Sequence, residues 1–328
     1  MMRECAWYNS GDMPHAAAQP NSRRPRFRRL AEPPAFRLTD GDLAIVREIA
    51  RHRFLRSNQV AALVGRSLDR TNERLSLLYH AGYIDRPRAQ LDRFPTEGSS
   101  HMVYALANDG ARLLRAHGGD IDTQLDLSRK NRSVLRPFIE HQLEIMDFYV
   151  ALQCATRERS DVALIHPEEI VAAFPEETRA DKHPQKLKVR LSHKGKLEEF
   201  GLVPDLLFGL RYPDGSRRCF MVEIDRGTMP VARKSFAQTS YERKMRAYST
   251  VYATKLHVHQ FGWRAFRVLT VTNDPHRAQT MRESLRNIHV PHGLGPPLFF
   301  FSTRDNLSRS GPLRSVWQDG HGCDVTLI

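Results

Sequence analysis

Asp205, Glu223 and Asp225 are the residues whose types and spacing best suit chemistry. Glu223 and Asp225 lie two apart in the run Cys219–Asp225. Strand alternation puts them on one face with Met221, and puts Phe220, Val222 and Ile224 on the other. Asp205 follows Val203-Pro204 and precedes Leu206-Leu207-Phe208. The turn signal Tyr212-Pro213-Asp214-Gly215 between the two runs predicts a hairpin, so Asp205 can lie beside Glu223. Two carboxylates from adjacent strands suit a hard divalent ion such as Mg²⁺, which takes oxygen ligands and keeps several waters. Such an ion lowers the pKa of a bound water and offsets charge on a phosphodiester. Asp205 and Glu223 are its expected ligands. In the non-catalytic alternative no metal binds, and Asp225 pairs with Arg226 or Arg243.

These residues need an α/β frame. A helix is predicted over Val134–Thr156, and on it His141 and Glu144, three apart, share a face. Strands are expected at Ala163–Ile165 and Glu169–Ala173. Lys186, Lys188 and Arg190 alternate with Leu187, Val189 and Leu191, which predicts a strand with one basic and one apolar face. After Pro230 a helix reaches about Tyr252; on it Lys244 and Tyr248, four apart, face the same way. A strand at Phe266–Val271, a helix over 275–287 and a strand at Leu298–Phe301 complete the α/β pattern. Residues 133–303 are thus one unit, and the polar residues 304–328 read as a loose tail.

Ahead of it, residues 38–118 read as a second unit. Thr39 caps a first helix, with Leu43, Val46, Ile49 and Ala50 at helical spacing. Ser57 starts a short helix that Gly65 ends, and Ser67 starts a third, with Leu68, Leu75, Leu78 and Tyr79 as its stripe. Tyr83-Ile84 and Met102–Leu106 form a hairpin around a polar loop, and a fourth helix runs from about Asp109 to His117. Three helices, a long-tipped hairpin and a closing helix describe a winged helix-turn-helix, whose third helix fits the major groove of DNA. On that helix Arg70, Asn72, Glu73 and Arg74 lie off the leucine stripe; Arg can read guanine and Asn adenine. Arg86, Arg88 and Arg93 in the wing suit phosphate or the minor groove, and the Lys186/Lys188/Arg190 strand adds phosphate contacts. A solvated helix face or a protein-binding module is the alternative.

The composition agrees with a polyanionic partner. Fifty Lys+Arg against 37 Asp+Glu leave a charge of +13, and every cation before Lys130 is arginine. Residues 1–37 hold Arg23, Arg24, Arg26, Arg28 and Arg29 among Pro20, Pro25, Pro33 and Pro34, which predicts a flexible basic arm; residues 119–132 read as a polar connector. Hydrophobic residues at 41% fit a folded chain. No run reaches the roughly 18 apolar residues of a membrane span, and no signal peptide is evident. The four cysteines are scattered without a C-x-x-C pair, so a reducing cytoplasm is expected.

Pro204-Asp205, Glu223-x-Asp225 and a following helix with Lys244 and Tyr248 resemble the PD-(D/E)xK nuclease superfamily. In order, "LVPDLLFGLR", "FMVEIDRGTMP" and "SYERKMRAY", behind a winged helix and "EHQLEIMDFYVAL", are similar to the replication-relaxation family of plasmid and mobile-element proteins, over about residues 38–303. The resemblance implies duplex DNA binding linked to replication, relaxation or mobilisation, with a restriction-endonuclease-like second domain. It implies Asp205, Glu223, Asp225 and Lys244 as catalytic candidates, with His141, Glu144 and Tyr248 in support. The motif's lysine, two residues after the glutamate, would steady the attacking water or the scissile phosphate. Asp225 stands there instead, and Lys244 is the candidate migrant.

Three functions follow as expectations: a binding accessory of replication or mobilisation, a Mg²⁺-dependent DNA endonuclease, or a transcriptional regulator. Other replication or mobilisation proteins are expected partners, and a homodimer stays open. His257-x-His259 is expected on one strand face without a third zinc ligand. His289 and His292 receive no role. No phosphate-binding glycine loop and no H-x-H-x-x-x-H relaxase pattern occurs.

Overall fold

The first helix begins where the chain supplies its own cap. Thr39 is extended, its hydroxyl accepts from the Asp42 amide, and the Asp42 carboxylate accepts from the Thr39 amide at 2.8 Å. In the computed structural model, which describes residues 24–91, 101–120, 124, 126–193, 196–233, 238–286, 288 and 295–328, this cap opens α1 (Asp40–His52). Then follow β1 (Leu55–Arg56), α2 (Ser57–Val64), α3 (Leu68–His80), β2 (Ile84–Asp85), a one-turn 3₁₀ helix at Arg88–Gln90, β3 (Val103–Leu106) and α4 (Asn108–Ala116). The three strands form an antiparallel sheet in the order β1-β3-β2. Ile45, Val46, Ile49, Leu75 and Leu78 are fully buried beneath it.

Residues 24–38 correct the expected free arm. They have no regular structure, as their prolines require, yet they are docked. Arg29 donates to the Tyr79 and Ile84 carbonyls and pairs with Asp85 at 2.7 Å. The Leu30 amide donates to His80, and Phe36 lies under the Arg74 guanidinium. The remainder of the predicted arm, residues 1–23, lies outside the described residues.

The second half starts with α5 (Leu127–Ser133), a helix inside the expected connector, and α6 (Arg136–Arg157). It continues through β4 (Ala163–Ile165), α7 (Pro167–Ala172), α8 (Glu176–Arg179), β5 (Leu187–His193), β6 (Lys196–Leu202), β7 (Leu206–Arg211) and β8 (Arg217–Ile224). Next come α9 (Tyr241–Ala253), α10 (Leu256–Phe261), β9 (Arg267–Thr272), α11 (Pro275–Arg286) and α12 (Gly295–Leu298). The chain closes with β10 (Phe299–Thr303), α13 (Arg304–Arg314), β11 (Trp317–Asp319) and β12 (Asp324–Val325). Seven strands form one mixed sheet in the order β12-β11-β10-β9-β8-β7-β4, with β8, β9 and β10 mutually parallel and the remaining pairs antiparallel. The hairpin β5–β6 stands apart as a second sheet. One face of the large sheet packs on α6 and α13, the other on α9 and α11. The molecule is a mixed α+β protein, and among the described residues no helix is long and apolar enough to cross a membrane.

Three further expectations change. Glu169–Ala173 is not a strand: Pro167 starts helix α7, and the Glu169 carboxylate accepts from the His166 amide. His257 and His259 sit on the short helix α10, not on a strand, and His257 is buried. Residues 304–328 are not a loose tail: Trp317 and Leu327 are buried against the sheet, and the Trp317 indole donates to the Pro312 carbonyl.

The two halves share a core. Buried side chains of α1, α2 and α3 run without a break into those of α6 and the large sheet, and Phe54, Val103 and Ala105 pack on Ile139 and Leu143 of α6. Polar ties reinforce the seam. Asp147 accepts from both Arg56 and Gln59, and Arg157 donates to the Leu63 carbonyl at 2.7 Å.

Candidate functional site

In the β7–β8 hairpin Leu206 stands opposite Val222, so the same register carried one residue further sets Asp205 opposite Glu223. Pro204 has no amide to donate and ends the ladder. The Asp205 amide still reaches the Val222 carbonyl at 3.0 Å. Its carboxylate accepts from the Ile224 amide at 2.8 Å and lies 3.1 Å from His141 Nε2 on α6. The hydrogen bond to Asp205 lifts His141 above the usual histidine pKa, against the effect of its burial.

Helix α9 supplies the other wall. Ser240 caps it by accepting from the Arg243 amide. Tyr241, Lys244 and Tyr248 then recur at helical spacing on the face toward the sheet. Lys244 Nζ donates to Glu223 Oε2 at 2.6 Å, and the Tyr248 hydroxyl donates to Glu223 Oε1 at 2.5 Å. The Tyr241 hydroxyl bonds Thr270 behind them. Glu223 is only 2% exposed, and its burial, with Asp205 nearby, pushes its pKa up to about 7 although Lys244 and Tyr248 oppose the rise. Burial also works against the Lys244 charge, but Glu223, Asp205 and Asp225 overcome it and hold the ammonium protonated. The tyrosines, raised by burial and by Glu223, remain proton donors.

Asp225 belongs to a different arrangement. Arg277 at the start of α11 holds both its oxygens, one at 2.8 Å, and Thr272 and the Gly227 amide also donate to it. Arg226 and Arg243, its expected partners, go elsewhere. Arg226 pairs with Glu140 and Glu144; Arg243 pairs with Glu198 and lies over Phe200. Glu144 also receives both arms of Arg304 at 2.9 Å, so it serves an arginine cluster rather than the His141–Asp205 contact. The structure therefore brings Asp205, Glu223, Lys244, Tyr248 and His141 together and keeps Asp225 and Glu144 in neighbouring ion pairs. Sequence reasoning missed Tyr241, Arg277 and Arg304. Helical spacing from Lys244 and Tyr248 would have found Tyr241, whereas the two arginines carry no local signal.

Asp205 and Glu223 are the residues that would hold a Mg²⁺ ion, and in this arrangement it would compete with protein donors. All four oxygens of Asp205 and Glu223 already face protein donors, and one of those donors is an ammonium. Among the described residues, no group of three or more His, Cys, Asp or Glu side chains is disposed to hold a metal.

The nucleic-acid candidates divide in the same way. Arg70 and Asn72 are exposed on α3, as is Glu73. Arg74, one helical turn on from Arg70, does not join them. It turns inward to the fully buried Asp42, with Nε at 2.7 Å, and donates to the Arg37 carbonyl. Burial would raise the Asp42 pKa, but Arg74 and Thr39 outweigh it and the net shift is downward. Arg86 is wedged over the Tyr79 and Tyr104 rings and donates to the Arg26 carbonyl. Arg88 is exposed, and Arg93 lies outside the described residues. Lys186, just before β5, and Lys188 and Arg190 on it are exposed, while Leu187, Val189 and Leu191 are buried.

No curated protein and no solved structure matches this chain. A family described as replication-relaxation matches residues 46–263, from within α1 to just past α10, so the match takes in α3, the β7–β8 hairpin and α9. Covering most of the chain and both of its halves, that match shows that the protein belongs to the replication-relaxation family.

Proposed function

We propose that the protein is a DNA-binding accessory of replication, relaxation or mobilisation on a plasmid or mobile element, docking on duplex DNA through an N-terminal winged helix. The observation that carries this reading is the division of labour on α3. Leu75, Leu78, Tyr79 and Arg74 hold the helix in place, while Arg70 and Asn72 stay exposed. The order helix, strand, two helices and two strands, with α3 ahead of the hairpin, is how a winged helix offers its recognition helix. Arg88 and the basic face of β5 would add phosphate contacts. The test is binding of Arg70→Ala and Asn72→Ala variants to a panel of duplexes, where a base reader loses about 1–3 kcal/mol of discrimination at one position. Uniformly weaker binding to all sequences would make them phosphate contacts.

A metal-dependent endonuclease of PD-(D/E)xK type is the second reading. It is favoured by Lys244 reaching Glu223 from the helix after the hairpin, and by β9 returning parallel to β8. The fully partnered carboxylates favour the binding role. A plasmid-nicking assay with Mg²⁺, Mn²⁺ or EDTA, run beside Glu223→Ala, decides between them. Metal-dependent cutting that the variant lacks would establish the nuclease and displace the accessory reading.

A further inference from the structure

At the end of the large sheet away from Glu223 lies a cleft of about 980 Å³. Five arginines line it: Arg211 from the end of β7, Arg217 and Arg218 from the start of β8, Arg264 after α10, and Arg267 from the start of β9. Glu169 is the one acidic residue in the lining. Arg217 is six residues from Glu223 along β8, so at about 3.3 Å per residue the cleft opens roughly 20 Å from the carboxylates.

Internal contacts use little of this charge. Arg211 faces Glu169 at 3.7 Å, both largely exposed. Arg218 spends one nitrogen on the Leu327 carbonyl and lies over Tyr212. Arg267 bonds only the adjacent Phe266 carbonyl. Arg217 and Arg264 are exposed and have no hydrogen-bond or ion-pair partner among the described residues. Like charges held together without counter-charge are unfavourable unless an anion joins them. A planar guanidinium matches phosphate oxygens two at a time.

We propose that this cleft is a second nucleic-acid contact that takes a single strand by its phosphates. A duplex presents its phosphates on a convex cylinder, whereas this site is concave. Its walls include the apolar sides of Ile170, Phe261 and Trp263. A basic groove with apolar walls is how proteins track one strand without reading its sequence. The contact stands independently of α3, which lies in the other half of the chain.

The test measures binding of labelled oligothymidylate to the full chain by fluorescence anisotropy across a salt series. The expected result is that Arg217→Ala/Arg264→Ala weakens binding about tenfold or more and lowers the slope of log affinity against log salt by about 1.4, at roughly 0.7 per phosphate contact. Arg286→Ala/Arg309→Ala, with the same loss of charge from other exposed positions, should change affinity less than about twofold. Hydrogen exchange on the unmutated chain should show protection of 211–219 and 262–267 on adding the oligonucleotide. Absence of single-strand binding, an equal loss in the control variant, or protection confined to α3 would overturn the proposal. So would inorganic triphosphate protecting the cleft where the oligonucleotide does not, because that marks a small-anion site. Loss of duplex binding in Arg70→Ala with single-strand binding intact would separate the two contacts and support this one.

Discussion

Asp42 with Arg74 and Glu223 with Lys244 are both buried acid–base pairs, one in each half of the molecule, and their carboxylates are pushed in opposite directions. Asp42 receives two arms of a guanidinium and two further hydrogen bonds from Thr39, and its pKa falls. Glu223 receives one ammonium and one hydroxyl with a second carboxylate beside it, and its pKa climbs to about 7. The first arrangement satisfies its charge completely and locks α3 to α1. The second leaves a proton poised near neutrality, as functional carboxylates often are. Burial alone therefore does not distinguish a strut from a site; the number and kind of donors does.

The comparison breaks first at Arg74. Arg74→Ala strands a buried carboxylate and should cost about 3–5 kcal/mol in urea unfolding. Unchanged stability with lost DNA discrimination would return Arg74 to the recognition face. Next is the seam: Leu143→Ala on α6 should cost about 2–5 kcal/mol and lower the single unfolding transition of the whole chain. Two separated transitions would show that the halves fold independently.

The pH response sharpens the contrast. The folded state keeps the Glu223 proton up to about 7, while the unfolded chain releases it near 4.5. Between those values the folded state binds more protons, so this group makes stability fall as pH rises, by at most about 3 kcal/mol. Glu223→Gln should flatten that part of a stability profile, and an unaltered slope would remove Glu223 as its source. The smallest effect is expected at Arg70, where replacement by Ala should shift stability within about 0.5 kcal/mol, since the side chain is exposed. A larger loss would mean that α3 leans on it.

Much of this was readable from periodicity. The spacing of Val46 and Ile49 and of Leu75 and Leu78 marks α1 and α3, because local pattern and final burial agree there, and the alternation in Cys219–Asp225 marks β8 although both of its faces are buried. The Arg74–Asp42 pair leaves no local signal because its members lie 32 residues apart. Glu169–Ala173 carried its own correction in Pro167 and the Glu169 cap, which outweigh the strand propensity of Ile170 and Val171. For residues 304–328 composition misled: the glycines and polar residues suggest solvent, but Leu313, Trp317 and Leu327 find their cover only on α6 and the large sheet. The Glu223–Lys244 contact was foreseeable only through the resemblance to the nuclease superfamily, helix phase adding that Tyr248 would accompany Lys244, while the capture of Asp225 by Arg277 depends on how α11 enters the fold.

The packing of α13 against α6 also sets a timetable. Arg304 meets Glu144 across 160 residues of chain, so the part of α6 that α13 covers waits for nearly everything that follows it. At roughly 5–20 residues per second of synthesis, that wait is on the order of 8–30 s. Phe148, which packs on both Phe208 and Trp317, spends that interval without the tryptophan. A nascent chain at this stage presents the surface that chaperones bind, and its yield should depend on them more than its final stability suggests.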